Sequence, residues 1–161
     1  SAPHDLSSSC QVIRKSLGKI YQHYLLGRMK NSMARKLPQL QDTLALNEQQ
    51  LRSINDLWDF DNQVTAPLHG FTDAEDYYQK SSAKPYLKRI ATPTLIIHAE
   101  DDPMLAPEAV PRPEDVSHAV DLRVSKRGGH VGFISNKGLF GVEFWLEKAV
   151  PEFFAKHLGQ S

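Results

Sequence analysis

Residues 92–103 read TPTLIIHAEDDP, and this stretch decides the fold class. Its apolar run, Leu95 to Ile97, is continuous and ends at an acidic cluster, residues 100–102. A short run of aliphatic residues without polar alternation is typical of a parallel strand that is buried on both faces. The stretch therefore predicts a strand inside a parallel sheet that is covered on both sides.

A second strand is predicted at VDLRVS, residues 120–125. Apolar and polar side chains alternate along it, which is the pattern of a half-buried strand near a sheet edge. A long connection separates it from the first strand, so we expect the two strands to be parallel. Two strands alone cannot cover a strand that is buried on both faces. We therefore expect the remaining strands to come from a missing part of this protein or from another chain.

Much of the remaining sequence predicts helices. Residues 11–30 have apolar side chains at helical spacing. Residues 47–60 begin with Asn47 as an N-cap and Gln50 three positions later, which is the pattern of a capping box. Residues 138–159 predict a C-terminal helix. The residues that would form the apolar face of the first helix are Ile13, Leu17, Ile20 and Tyr24.

Composition excludes several classes of function. The 19 basic residues balance the 19 acidic ones, so no electrostatic field favours nucleic acid. The single cysteine, Cys10, excludes an internal disulfide and a cysteine-based zinc site. The histidines lack metal-ligand spacing, so no metal or other cofactor is expected. With no apolar run of membrane-spanning length and no signal-peptide pattern, we expect a soluble cytoplasmic protein.

Chemically useful side chains follow both predicted strands. The acidic cluster at 100–102 follows the first strand, and Gly128, Gly129 and His130 follow the second. The carboxyl ends of parallel strands meet at one edge of a sheet, where functional groups gather. A carboxylate there can orient an imidazole, which then serves as a general base. Alternatively the acidic cluster caps a helix and the histidine is merely solvated, but their matched positions favour a catalytic pair.

Longer stretches resemble a known superfamily. ATPTLIIHAEDDPMLAP followed by GGHVGF is similar to the closing section of the α/β-hydrolase fold, and FDNQVTAPLHGFTDAEDYYQKSS resembles its YheT-like branch. The resemblance implies a partial α/β-hydrolase fold, with a helical cap, the last two parallel strands and flanking helices, but without the N-terminal sheet. It implies that residues 1–161 are the C-terminal part of a single α/β-hydrolase domain. Residues 7–70 would form the helical cap, and residues 71–161 would form the core segment.

The resemblance also implies roles for individual residues. In this family the catalytic acid lies three positions after a glycine that ends the strand. Ala99 stands in place of that glycine here, so the acid corresponds to Asp102, and Asp101 is less favoured. The base corresponds to His130, and the glycines before it would let the backbone turn and present its ring. His69, close to the return from cap to core, is a candidate substrate contact or the donor of a structural hydrogen bond.

The nucleophile of the family is absent from this sequence. It lies in a G-x-S-x-G elbow that precedes the acid and the base in chain order, and no such pentapeptide occurs here. The sequence opens at Ser1 with no methionine. We therefore expect the C-terminal half of a serine hydrolase for small-molecule acyl esters, inactive on its own. The alternative is an inactive binding module on the same fold, whose exposed sheet edge docks another chain.

Overall fold

The computed structural model describes residues 1–15, 18–136 and 142–159. The chain divides into two compact units. The helical unit is Asp5–Ser82, and the sheet unit combines Ser1–His4 with Ala83–Ser161. The assignment of residues 7–70 to a cap and 71–161 to a core segment concerns the whole protein, and it stays a prediction.

The helical unit consists of short helices joined by tight connections. A π-helical segment, Asp61–Thr65, continues directly from the fourth helix. The second helix ends at Lys36, and Pro38, which lacks an amide hydrogen, follows it in a 3₁₀ turn over Leu37–Gln39. The α-helices are α1 (Leu6–Ile13), α2 (Gly18–Lys36), α3 (Glu48–Ser53), α4 (Leu57–Phe60), α5 (Ala66–Leu68) and α6 (Ala74–Ser81).

The capping box predicted at Asn47 is confirmed. The Asn47 amide donates to Gln50 Oε1 at 2.8 Å, and the Gln50 amide donates to Asn47 Oδ1 at 2.9 Å. The single helix predicted over residues 47–60 is wrong, because the backbone becomes extended at Ile54. Asp56 then caps α4 through its own side chain. Asp56 is a second residue that can cap a helix, and it starts a new helix in the middle of the predicted one.

The apolar face predicted for residues 11–30 is also wrong in the part that the structure describes. Ile13 ends α1, and a new helix begins at Gly18. Ile20 is 73% exposed and Tyr24 is 61% exposed, whereas Leu26 is buried. The prediction for Leu17 lies outside the described residues. The contacts of α2 with the rest of the helical unit select its buried face, and these contacts are not local in sequence.

Two apolar clusters form the interior of the helical unit. In the smaller one, Cys10 of α1 meets Ala74 and Tyr78 of α6. The larger one joins α2 to the segments that follow it. Its buried members are Leu26, Leu37, Leu44, Leu46, Leu51, Ile54, Phe60 and Val64.

The two predicted strands are present in the sheet unit and are parallel, as expected. Strand β1 is Thr94–Ala99 and strand β2 is Val120–Ser125. Their register pairs the first residues of the two strands with each other and pairs Ala99 with Ser125 at the end. The two strands therefore end level with each other, and the loops that follow them leave the sheet side by side.

Burial along β1 is less complete than the sequence predicts. Ile96 and His98 share a buried face, whereas Leu95 and Ile97 on the opposite face are half-buried. Within the described ranges, β1 hydrogen-bonds only to β2. The described residues thus cover one face of this strand fully and the other face only partly.

The C-terminal region differs from its prediction as a single helix. Strand β3 (Ile134–Asn136) pairs antiparallel with strand β4 (Val142–Phe144), and helix α7 (Trp145–Leu158) begins only then. The part of the prediction over residues 138–141 lies outside the described residues. Pairing with the preceding strand, β3, overrides the helical pattern at β4. The 3₁₀ turns of this unit are Lys84–Arg89, Pro107–Ala109 and Pro113–Asp115.

None of the helices in the described part of the chain is both long enough and apolar enough to span a bilayer.

Candidate active site

The two loops that carry the predicted site begin together at the end of the sheet. Beyond the last residue pair of the strands, the Glu100 amide donates to Ser125 O at 2.8 Å. The acidic turn after β1 and the glycine loop after β2 are therefore held together at the point where they leave the sheet. The positions of Asp102 and His130 follow from this arrangement.

The structure brings Asp102 and His130 together. Asp102 Oδ2 lies 2.9 Å from His130 Nδ1, and the other carboxylate oxygen accepts the Met104 amide hydrogen at 2.9 Å. The Asp102 side chain is only 1% exposed, whereas the His130 side chain is 37% exposed. Because a carboxylate accepts hydrogen bonds, this contact assigns the proton of the neutral ring to Nδ1. Nε2 is then left without a proton and can accept one.

The neighbouring carboxylate, Asp101, contacts the backbone of the glycine loop. Its Oδ1 accepts the amide hydrogens of Gly128 and Gly129, both at 2.8 Å. The two carboxylates therefore have different partners. Asp101 binds the backbone of the glycine loop, and Asp102 contacts the imidazole of His130. The sequence analysis missed the contact of Asp101. The signal that pointed to it was the pair of glycines directly before His130.

The two glycines are needed for different reasons. Gly129 has a φ of +60°, in the left-handed region that favours glycine. Gly128 is needed for space, because a Cβ there would lie 2.7 Å from Phe133 Cδ1 and 3.0 Å from Ala99 Cβ. Phe133 is 4% exposed, and its amide donates to Gly128 O at 2.9 Å. The loop is therefore a packed turn directly before His130.

A second histidine, His98, lies inside the sheet unit close to the site. It is fully buried, and neither of its ring nitrogens has a hydrogen-bond partner among the residues that the structure describes. The ring centroid of His4 lies 5.9 Å from that of His98. Burial and the neighbouring His4 lower the pKa of His98 to about 4, although the Asp102 charge opposes this shift. His98 is therefore a neutral interior group at physiological pH.

The third predicted residue, His69, belongs to the helical unit. It follows α5, its side chain is exposed, and its amide donates to Thr65 O and Ala66 O, both at 3.2 Å. Its role as a substrate contact stays a prediction. Over the described ranges, no group of three or more His, Cys, Asp or Glu side chains is arranged to hold a metal ion.

The chain is similar to several curated proteins. It is 42% identical over 158 residues to the candidate esterase YheT of Escherichia coli, an alignment that covers 98% of this chain and 46% of that protein. It is 34% identical to the candidate esterase slr0264 of Synechocystis, over 76% of this chain and 36% of that protein. It is 30% identical to a monoacylglycerol lipase of Saccharomyces cerevisiae, over 85% of this chain and 32% of that protein.

The chain thus spans less than half the length of each of these relatives. No family model matches it, and no solved structure gives a significant match.

Proposed function

The chain is related to the YheT-like α/β-hydrolases, and we propose that it supplies the acid and the base of a serine hydrolase that cleaves carboxylic esters. Asp102 is the acid and His130 is the base. The observation that carries this proposal is the 2.9 Å contact between the buried carboxylate and Nδ1 of a ring that is itself partly open to solvent. In the chain order of this superfamily, the serine precedes both residues.

In the first half of the proposed reaction, the serine hydroxyl attacks the acyl carbonyl, and its proton moves to Nε2 of His130. His130 then gives that proton to the oxygen of the leaving alcohol. In the second half, water attacks the acyl-serine and loses a proton to His130. His130 then gives that proton to the serine oxygen as the carboxylic acid leaves, which restores the starting enzyme. Asp102 keeps the Nδ1 proton in place and stabilises the imidazolium without taking up the proton.

The relatives support a substrate with an acyl ester bond. Two are named as candidate esterases and one as a monoacylglycerol lipase. We extend that bond type to this protein as a small-molecule acyl ester. His69 remains the candidate for a contact with the substrate.

Over the described ranges, β1 pairs with β2 alone, which fits a sheet that further strands complete. A parallel sheet of two strands is unusual by itself, because parallel strands normally lie inside larger sheets with both faces covered. We propose that an N-terminal half of the same protein supplies these strands and contributes the nucleophile elbow. The 161 residues contain no G-x-S-x-G pentapeptide, so this chain is inactive as an isolated piece.

Intact mass of the polypeptide made from its native gene, before and after reaction with a fluorophosphonate probe, tests the proposal. We expect a chain longer than 161 residues that gains one probe molecule, on a serine before Ser1. His130→Ala should greatly slow this labelling, whereas His23→Ala, at an exposed position of α2, should not.

Two outcomes contradict the proposal. One is a polypeptide that the probe does not label, which favours an interaction module on this fold. The other is labelling of a serine within residues 1–161, which means that the nucleophile has been placed wrongly.

A further inference from the structure

We propose that Asp101 is a positioning residue for His130, because its carboxylate holds the loop that presents the base. This inference rests on the proposed function and adds a residue to the machinery of that site. It gives Asp101 a role separate from that of the acid, since Asp101 contacts the loop backbone and Asp102 contacts the imidazole.

The contact has the geometry of an anion site made by the backbone. One oxygen, Asp101 Oδ1, accepts two consecutive amide hydrogens, from Gly128 and Gly129, each at 2.8 Å. Successive amides that converge in this way form a concave site for a negative charge. Hydrogen bonds to an ionised acceptor are shorter and stronger than those between neutral groups. Here the bound anion is a side chain of the same protein, taken from the neighbouring loop.

This contact compensates for the freedom of the loop. A segment with two adjacent glycines has many backbone conformations, so its ordering costs more entropy than that of other residues. Gly129 must also keep its left-handed conformation, with φ at +60°, directly before His130. An acceptor shared by both glycine amides restrains the loop at the residue that sets the direction of the ring.

Asp101 and Asp102 are adjacent in sequence, and together they restrain both the backbone before His130 and its ring. Asp101 fixes the backbone before the histidine, and Asp102 meets its ring at Nδ1. A displacement of about 1 Å in a catalytic group can reduce the rate by about 100-fold. Loss of the Asp101 contact should therefore act on the chemical step through the position of His130.

Three variants separate this role from a simple surface charge. Asp101→Ala removes the acceptor. Asp101→Asn removes the charge but keeps a side-chain oxygen that can accept both amide hydrogens. Glu100→Ala is the matched control, because it removes the adjacent carboxylate at an exposed position.

The experiment uses the polypeptide encoded by the native gene, labelled with ¹⁵N at histidine and glycine. In Asp101→Ala, we expect hydrogen exchange of the Gly128 and Gly129 amides to accelerate by about 10-fold or more. The ¹⁵N shifts of the His130 ring should change from one Nδ1-protonated tautomer to a mixture. With a phenyl ester, kcat should fall by about 10- to 100-fold with little change in KM. Asp101→Asn should show a smaller change in the same direction, because its oxygen can still accept both amide hydrogens but carries no charge. Glu100→Ala should stay close to the wild type in all three measurements.

Several results would overturn the inference. Unchanged glycine exchange in Asp101→Ala means that the carboxylate does not hold the loop. Faster exchange with an unchanged His130 tautomer means that the loop does not position the ring. A Glu100→Ala variant as impaired as Asp101→Ala means that loss of a negative charge near the loop, and not loss of the Asp101 contact, is the cause.

The ring-nitrogen shifts also separate this inference from the proposed function, because they need no turnover. If the wild-type polypeptide hydrolyses no ester, or if His130→Ala leaves hydrolysis unchanged, the proposed function fails. The effect of Asp101 on the His130 tautomer still decides the positioning role. Should Asp101→Ala fail to fold, Asp101→Glu keeps the charge while moving the oxygens by one methylene, and it should show a smaller change in the same direction.

Discussion

Asp102 Oδ2 and His130 Nδ1 lie 2.9 Å apart although 28 positions separate the two residues in sequence. Parallel pairing of β1 with β2 aligns Ala99 with Ser125, so the two loops leave the sheet at the same height. The buried position of Asp102 then directs its carboxylate at the ring, while the Met104 amide occupies its other oxygen. This relationship leads to the first prediction.

Asp102→Asn should lower kcat for ester hydrolysis by the native-gene polypeptide by about 10³- to 10⁴-fold, as for the equivalent change in a serine protease triad. An Asn side chain can still accept the Met104 amide hydrogen, but its NH₂ group then faces His130 Nδ1. That arrangement selects the wrong tautomer, in which Nε2 carries the proton and cannot take one from serine. Steady-state kinetics and an unchanged circular dichroism spectrum measure the effect.

The same replacement at an exposed position, Asp42→Asn, serves as the comparison and should leave kcat unchanged. A kcat of Asp102→Asn within about tenfold of the wild type would remove Asp102 from the role of the acid.

Gly128→Ala and Gly129→Ala should both destabilise the loop, for different reasons. At Gly128 the new Cβ would meet the buried ring of Phe133 at 2.7 Å, and overpacking of this kind costs about 1–3 kcal/mol. At Gly129 a new Cβ would have no neighbour within 4 Å, so the cost is the left-handed conformation, about 1–2 kcal/mol.

Urea denaturation of the variants measures both costs. A second change, Phe133→Leu, should recover part of the loss in Gly128→Ala but none of the loss in Gly129→Ala. Equal recovery in both would show that contact with the Phe133 ring is not the cause at Gly128.

His98 should make the protein less stable as the pH falls. Its pKa is about 4 in the folded protein and near 6.5 in an unfolded chain. Between these values the unfolded chain binds more protons, so the free energy of unfolding rises with pH in this window. This contribution is fully present above about pH 6.5 and falls by up to about 3 kcal/mol as the pH approaches 4.

Denaturation at a series of pH values from about 7.5 to about 4.5, which covers most of the window between the two pKa values, tests this expectation. His98→Leu should flatten the dependence, whereas His23→Gln at an exposed position should not change it. A slope in His98→Leu equal to that of the wild type would assign the acid sensitivity to other groups.

Tyr78→Phe should destabilise the helical unit by about 1–3 kcal/mol. The Tyr78 hydroxyl donates to Asp61 Oδ2 at 2.7 Å, while Thr65 Oγ1 donates to Asp61 Oδ1 at 2.6 Å. Burial raises the pKa of Asp61, and these two donors oppose that shift. Without the hydroxyl, a poorly solvated carboxylate loses one of its donors.

Thermal and urea denaturation should show this loss. The exposed Tyr86 provides a matched change, because Tyr86→Phe should alter stability by less than about 0.5 kcal/mol. If the two variants are equally stable, the bond to Asp61 contributes nothing net.

Asn47→Ala should lower stability by about 1 kcal/mol, because it breaks one half of the capping box with Gln50. Asn31→Ala, the same replacement at an exposed position inside α2, should be neutral or slightly stabilising, since alanine is the better helix former. The difference in denaturation midpoint between these two variants measures the cap. No difference would mean that solvent replaces the lost hydrogen bonds.

Features that depend on neighbouring residues were predictable from the sequence. The apolar run of β1, the alternation of β2 and the cap at Asn47 each record a local preference that the structure keeps. The features that failed depend on contacts with residues outside the segment itself. Strand β4 forms because β3 is available to pair with it, and the exposed Ile20 shows that tertiary contacts selected the buried face of α2.

The candidate site shows the same division. The acidic cluster and His130 each follow a predicted strand, and from this the sequence predicted that they lie side by side. The resemblance to a superfamily then selected Asp102 within the cluster. The bond from Asp101 to the glycine loop and the buried His98 were not predicted. Both depend on which atoms of two separate loops or strands meet in space, and a single sequence carries no distances between them.

By itself, the sequence determined that two parallel strands carry an acidic turn and a glycine–histidine loop at the same end, because strand patterns and glycine positions are local properties of the chain. Only the tertiary structure decided which groups the neighbouring carboxylates of Asp101 and Asp102 contact. Packing buries Asp102 against the ring of His130 and leaves Asp101 at the surface beside the amides of Gly128 and Gly129. This difference in contacts arises only because the pairing of β1 with β2 brings the two loops together.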